Sequence, residues 1–249
     1  MDTWIKQRAD APRGLFAAEA AGLEWLRQAG GAPVVAVLKT TPDSITLERL
    51  QTVAPTARAA GDFGAALALT HDAGAPAFGS PPPGFTGPCY VADLPLLTEP
   101  VPTWGEFFAT QRILPFARLV RDQFGTEGMR VIDALAQRLV DGVFDDGAPP
   151  ARLHGDLWTG NIVFTPQGVT LIDPSAHGGH RLSDLAMLSL FGAPELRHIL
   201  RGYELASAHL PDGWRGLIDL HQIYPLLIHA VMFGGAYIEA TLINARAYL

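Results

Sequence analysis

One stretch constrains this chain more than any other: Leu153-His154-Gly155-Asp156-Leu157-Trp158-Thr159-Gly160-Asn161-Ile162-Val163-Phe164, followed shortly by Leu171-Ile172-Asp173-Pro174. Three oxygen-bearing side chains stand here at fixed offsets: Asp156, Asn161 five residues on, and Asp173 just past a short apolar run that reads as the end of a strand. The layout suits transfer of a phosphoryl group. A carboxylate must take the proton of an attacking hydroxyl, while an amide oxygen and a second carboxylate hold magnesium against the phosphates of a nucleotide. Asp156 is therefore the candidate base, and Asn161 and Asp173 are the candidate magnesium ligands. A loop aspartate can also cap a helix, and an asparagine can serve a turn. The joint register of the three beside apolar strands favours the chemical reading.

Composition sets the remaining bounds. The 249 residues suffice for one large domain or two lobes, and 48% hydrophobic residues can fill a sizeable core. The net charge of −7, from 25 acidic and 18 basic residues without a block of either sign, excludes nucleic acid as the expected partner. The single cysteine, Cys89, cannot form an intramolecular disulfide and reads as a small, partly buried apolar residue. The first eight residues are polar, and no run approaches the roughly 18 apolar residues of a membrane span. The expectation is a cytoplasmic chain with no signal peptide and no membrane partner.

Taken in order, Thr3–Arg8 predicts a strand and Leu15–Ala29 a helix, ended by Gly30-Gly31. Val34–Leu38 and Ser44–Leu50 predict a β-hairpin with Lys39–Asp43 between them. The helix Ala57–Ala73 carries His71 near its end, where a histidine caps backbone carbonyls. Ala75–Pro102 is rich in proline and glycine and has no helical period. Helices are expected over Thr103–Asp122 and Glu127–Phe144, and later over Glu195–Leu210, Leu217–Val231 and Tyr237–Leu249. His154 reads as a residue that fixes the loop through the backbone, and Met187, Met232 and Phe233 as core. His177 and His180 make a pair too small for zinc without a third ligand. Tyr224, His229 and Trp214 are candidates to face a sugar, since carbohydrate sites use aromatic faces with polar tips.

The spacing of Asp156, Asn161 and Asp173 matches a kinase catalytic loop and its metal-binding aspartate. The stretch resembles the protein-kinase-like phosphotransferases whose small-molecule branch carries His-Gly-Asp. Within that branch, Gly155-Asp156-Leu157-Trp158 resembles the fructosamine (ketosamine) kinase family. Asp173-Pro174-Ser175, Gly179-His180-Arg181, Asp184-Leu185-Ala186-Met187 and Phe233-Gly234-Gly235-Ala236-Tyr237 are similar to it as well. The resemblance implies an α/β (α+β) protein-kinase-like two-lobe fold, with a truncated nucleotide-binding lobe over residues 1–50 and a mainly helical lobe over 51–249. It implies ATP and Mg2+ as cofactors and phosphorylation of a sugar hydroxyl on a ketosamine or glycated amine, a step that serves deglycation. Lys6 and Glu19 take the roles of the phosphate-binding lysine and its ion-pair partner, and the backbone around Glu48 and Leu50 that of the adenine-binding hinge. Trp158 and His177 fall on the substrate side. His180 and Asp184 match positions that anchor the loop, and the Trp104, Phe107, Phe108, Arg112 helix follows a candidate cleft wall. In such kinases two strands and a glycine-containing phosphate lid precede the lysine strand, whereas five residues precede Lys6 here. Either the natural start lies upstream or the chain lacks the lid. The edge strand left open is then the expected surface for a homodimer. The alternatives are an aminoglycoside- or choline-type phosphotransferase, and an inactive nucleotide-binding homologue.

Overall fold

The computed structural model describes residues 2–249. Near the N-terminus three antiparallel strands, β1 (Thr3–Gln7), β2 (Val37–Thr41) and β3 (Ser44–Glu48), form a sheet in the order β1-β3-β2. The β2–β3 turn is tighter than the sequence suggests: pairing continues to Thr41↔Ser44, so Pro42 and Asp43 make the reversal. Helix α1 (Leu15–Arg27) lies across this sheet, its Phe16 and Leu23 packing on Val35, Ile45 and Leu47. Helix α2 (Ala57–Asp72) starts at Thr56, whose side chain accepts from Ala59 N–H.

The proline-rich segment that follows contains a short hairpin of β4 (Cys89–Val91) and β5 (Leu94–Leu96), joined to the sheet side by Arg8–Asp93 at 2.8 Å. The helix expected over Thr103–Asp122 is broken into α3 (Trp104–Phe107), a π-helical turn (Phe108–Ile113) and α4 (Leu114–Leu119). Helix α5 (Arg121–Val140) begins earlier than predicted and bends at Gly125. The second half holds β6 (Ala151–Leu153), the hairpin β7 (Ile162–Thr165) and β8 (Gly168–Leu171), and β9 (His177–Gly179), which pairs with β6. Helices α6 (Leu182–Phe191), α7 (Leu196–Ala206), α8 (Ile218–Phe233) and α9 (Ala236–Arg246) complete it.

Two contacts position the site. Leu171 at the end of β8 exchanges backbone hydrogen bonds with Pro33 O (2.8 Å) and Val35 N (3.0 Å), so the N-terminal sheet leans on the β7–β8 hairpin and β1 is brought over Asp173. Helices α2 and α7 approach so closely that a Cβ on Gly64 would lie 2.0 Å from Ile199 O, and one on Gly202 would lie 2.0 Å from Gly61 O. That seam buries His71 against Tyr203. His71 is not a helix cap: its Nδ1 bonds Tyr203 Oη (2.8 Å) and its Nε2 bonds Asp184 (3.1 Å), both deep in the interior.

The helical stretch Trp214–Phe233 is long and apolar enough to cross a membrane by length and composition, contrary to the expectation that no run approaches this. Its apolar face is instead that of a core helix, with Leu220, Ile223 and Leu227 fully buried. Trp214 is buried as well and borders a surface pocket shared with Glu204 and Arg215, away from Asp156, Asn161 and Asp173.

Candidate active site

Strand β6 delivers His154 into the interior. Its Nε2 lies 2.9 Å from Ile172 O, an acceptor, so this nitrogen carries the hydrogen, and Nδ1 accepts from Asp156 N (3.3 Å). Gly155 has φ 80°, and a Cβ there would lie 2.2 Å from Ser175 O, so the turn admits only glycine. The turn aims His154 N–H and Gly155 N–H at the two oxygens of Asp184, at 2.8 and 3.0 Å. Burial opposes charge on Asp184, but the bond and field of His71 and these backbone donors outweigh it and hold the carboxyl below its usual range. Asp184 is thus the post to which the loop is tied.

Asn161 closes the loop. Its Nδ2 donates to Asp156 O (2.8 Å), to Asp156 Oδ2 (3.0 Å) and to Asp173 O (3.3 Å). Burial, with repulsion from Asp173, pushes the Asp156 carboxyl up to about 7, against the pull of the Asn161 amide. Asp173 sits at φ 54°, a left-handed conformation uncommon for aspartate. Its Oδ1 lies 2.5 Å from Lys6 Nζ, which also meets Glu19 Oε2 at 3.0 Å. Burial alone would lower the lysine, but the two carboxylates reverse this and raise it. Burial and Asp173 together raise Glu19, whose Oε1 is buried without a partner. Two carboxylates thus flank one ammonium, with the Asp156 carboxyl in the same cavity, an oxygen-rich place that suits a hard divalent cation. No three His, Cys, Asp or Glu residues converge on a common point among the described residues. A magnesium ion needs no such cage when substrate phosphates supply the other ligands.

Two cavities meet at Lys6, Glu19 and Asp173. The smaller, about 370 Å³, is lined by Val35, Leu47, Val163 and Ile172 and by the strand end Glu48–Leu50. There the Glu48 carboxylate accepts from Ala36 N (3.0 Å), and Arg49 N–H is given to Asp2 O (3.0 Å). Leu50 N–H makes no backbone bond among the described residues. The larger cavity, about 720 Å³, contains Asp156, Asn161, Trp158 and His229. The β4–β5 hairpin forms one wall through Tyr90, Val91 and Asp93.

His177 and Tyr224 do not reach this cavity. His177 is buried on β9, where Nδ1–H donates to Ser175 O (2.8 Å) and the ring packs on Phe107. Tyr224 packs in the interior beside Phe116 and beneath the guanidinium of Arg112, which is itself fully buried. The reason is helical: Tyr224 and His229 are five positions apart on α8, and a period of 3.6 sends them to different faces. Trp104, Phe107 and Phe108 are also core, and Trp104 stacks on His221 at 4.6 Å. The reading of Met232 and Phe233 as core is overturned, since they are 46% and 64% exposed and border the larger cavity. Met187 is buried yet lines the same space, as do Phe191 and Tyr237, which the sequence did not mark as site residues.

Burial holds His154, His177 and His221 neutral, His177 down to about 3. Unfolded, each takes a proton near the ordinary histidine value of about 6.5. Below that pH the unfolded chain binds more protons, so this stability is complete above about 6.5 and declines as the pH falls. The raised carboxyls of Asp156 and Glu19 act in the opposite sense. In His177→Phe, the slope of unfolding free energy against pH between about 6 and 4 should fall by about 1.4 kcal/mol per pH unit. An unchanged slope in urea titrations would show that His177 is not one of the titrating groups.

The model of the family described as fructosamine kinase matches residues 2–247. The chain belongs to the fructosamine kinase family. A probable ketoamine kinase of Enterococcus faecium is 30% identical over 239 residues, covering 94% of this chain and 83% of that protein. A crystal structure of a fructosamine-3-kinase homologue from Thermobifida fusca superposes with a TM-score of 0.90 at 42% identity, covering 99% of this chain and 85% of that one. An aminoglycoside phosphotransferase solved with streptomycin and ATP aligns at 14% identity with a TM-score of 0.62, covering 97% and 83%. That likeness is one of fold, the protein-kinase-like fold. This fructosamine kinase family member is an ATP-dependent phosphotransferase.

Proposed function

We propose that the chain moves the γ-phosphoryl group of ATP onto a sugar hydroxyl of a ketosamine, a sugar rearranged onto an amine. The observation that carries this reading is the convergence of Lys6, Asp156, Asn161 and Asp173 where the two cavities join. The nucleotide base fits the apolar slot edged by Glu48 and Leu50, and Lys6, steadied by Glu19, reaches its phosphates. Asp156 orients the acceptor hydroxyl and takes its proton as the new O–P bond forms and the bond to the departing ADP breaks. Asn161 and Asp173 would hold magnesium, which when bound neutralises phosphate charge. Trp158 and His229 border the space left for the sugar. Most of the acceleration then comes from positioning and charge neutralisation.

The ketosamine as acceptor is supported by the family and by the relatives' names, and its phosphorylation labilises the adduct, which is the basis of a deglycation role. We set the boundary between a nucleotide-binding lobe and a helical lobe near Leu50. The cytoplasm, where ATP is plentiful, is the compartment such a reaction needs. The open edge of β1, with Trp4 and Ile5 more than half exposed, supports pairing with a second copy.

The test is ADP release from ATP and magnesium in the presence of a ribulosamine, a fructosamine, an aminoglycoside or choline. Turnover with a ketosamine alone is the expected result. Turnover with the aminoglycoside or choline instead would reassign the acceptor, and none with any would mark a non-catalytic homologue.

A further inference from the structure

The larger cavity is divided by chemistry. Its formally charged side chains, Lys6, Arg8, Glu19, Asp93, Asp156 and Asp173, come from the N-terminal sheet and helix, the β4–β5 hairpin and the loops around Asp156 and Asp173. Helices α6, α8 and α9 contribute Met187, Phe191, His229, Met232, Phe233 and Tyr237, a wall with no carboxylate, lysine or arginine. The wall is built by a corner. Helix α8 stops at Gly234 and Gly235, both at positive φ (63° and 61°), and the chain turns back so that Tyr237 of α9 meets the last turn of α8. The rings form one cluster, with His229 4.5 Å from Phe191, 5.2 Å from Tyr237 and 5.6 Å from Phe233 between centroids.

His229 is locked within it. Nδ1 lies 2.8 Å from Pro225 O, which can only accept, so Nδ1 carries the hydrogen and Nε2 is left as an acceptor. Met232, Phe233 and, on the catalytic loop, Trp158 are 46%, 64% and 42% exposed around this one cavity. Large apolar side chains gathered at the mouth of a cleft mark a surface that a ligand covers. A volume of about 720 Å³ lies in the range that holds drug-sized ligands, more than an unsubstituted sugar fills.

We infer that this wall is a subsite for the substituent on the substrate's nitrogen, and that the substituent it takes is apolar, an alkyl or aryl group. The inference rests on the ketosamine reading of the same site. With the acceptor hydroxyl at Asp156, the amine and what it bears must leave the sugar along the cleft, and this wall is the face without formal charge. The protonated secondary amine gains from the aromatic faces and from the free Nε2 of His229. Its substituent covers Phe233 and Met232. A substituent carrying polar groups close to the nitrogen would be stripped of water against that wall with nothing to replace it.

The experiment compares 1-benzylamino-1-deoxy and 1-(2-hydroxyethylamino)-1-deoxy derivatives of ribulose and of fructose as acceptors for the wild type, Phe233→Ser and Met232→Ser. Both positions are exposed, and thermal melting checks that each variant folds. The expected wild-type preference for the benzyl compound is about tenfold or more in kcat/KM, as for a largely buried aromatic group. In Phe233→Ser that ratio should collapse towards one, mainly through KM of the benzyl compound. Equal use of both compounds by the wild type, or a preference that both variants retain, overturns the subsite and leaves the ketosamine reading standing. Phosphorylation of none of the four overturns the ketosamine reading, and the subsite with it.

Discussion

Replacing Asp156 with Asn is expected to lower kcat by about 10²–10⁴-fold, the usual contribution of a positioned general base, while the chain stays folded and still binds ATP. The amide keeps the shape of the side chain and can still bond Asn161, so the loop has no reason to move. Folding stability should not suffer at pH 8. Burial and Asp173 push the native carboxyl up to about 7, so holding it ionised works against the fold above that pH. The folded chain takes this proton before the unfolded one does, so the group's contribution worsens as pH rises from the ordinary carboxylate range to about 7. The neutral amide removes that dependence. Single-turnover phosphate transfer and melting curves at pH 8 make the comparison, and activity within threefold of wild type would move the base elsewhere.

Asp184→Ala should act through the fold. The carboxylate is buried and receives His154 N–H, Gly155 N–H and His71. Its removal leaves these donors without a partner in the interior, an expected loss of about 3–5 kcal/mol. For a chain of this size that corresponds to a fall of about 6–20 °C in Tm. Asp184→Asn keeps one acceptor oxygen and should lose less stability, with kcat reduced because the turn at Gly155 is no longer held from both sides. A Tm for the alanine variant within 2 °C of wild type would mean the loop is anchored elsewhere.

These residues were not equally legible. Asp156, Asn161 and Asp173 stand on one loop and the hairpin after it, so their offsets in sequence already constrain their meeting in space. Lys6 and Glu19 were readable through family likeness alone, because what brings them to Asp173 is the pairing of Pro33 and Val35 with Leu171, a contact no local pattern announces. The family assignment and the kinase-like fold followed from the same motifs. Helical periodicity misled at the far end of the cleft. Met232 and Phe233 look like core on α8, and Tyr224 like an aromatic that faces a sugar, until the corner at Gly234 and Gly235 fixes which face is covered. His71 reads as a cap because its true partners, Tyr203 and Asp184, are more than a hundred residues away in sequence.

The glycine seam between α2 and α7 extends the reach of the active site well beyond the substrate. Gly64 and Gly202 let α7 sit low enough for Tyr203 to touch His71, His71 braces Asp184, and Asp184 holds the turn that aims Asp156. A single added methyl at that distant joint would therefore be felt as slackness at the Asp156 carboxylate, the proposed base. Tolerance to mutation in this enzyme should follow the line of props, and a residue's distance from the cleft is a poor guide to its importance.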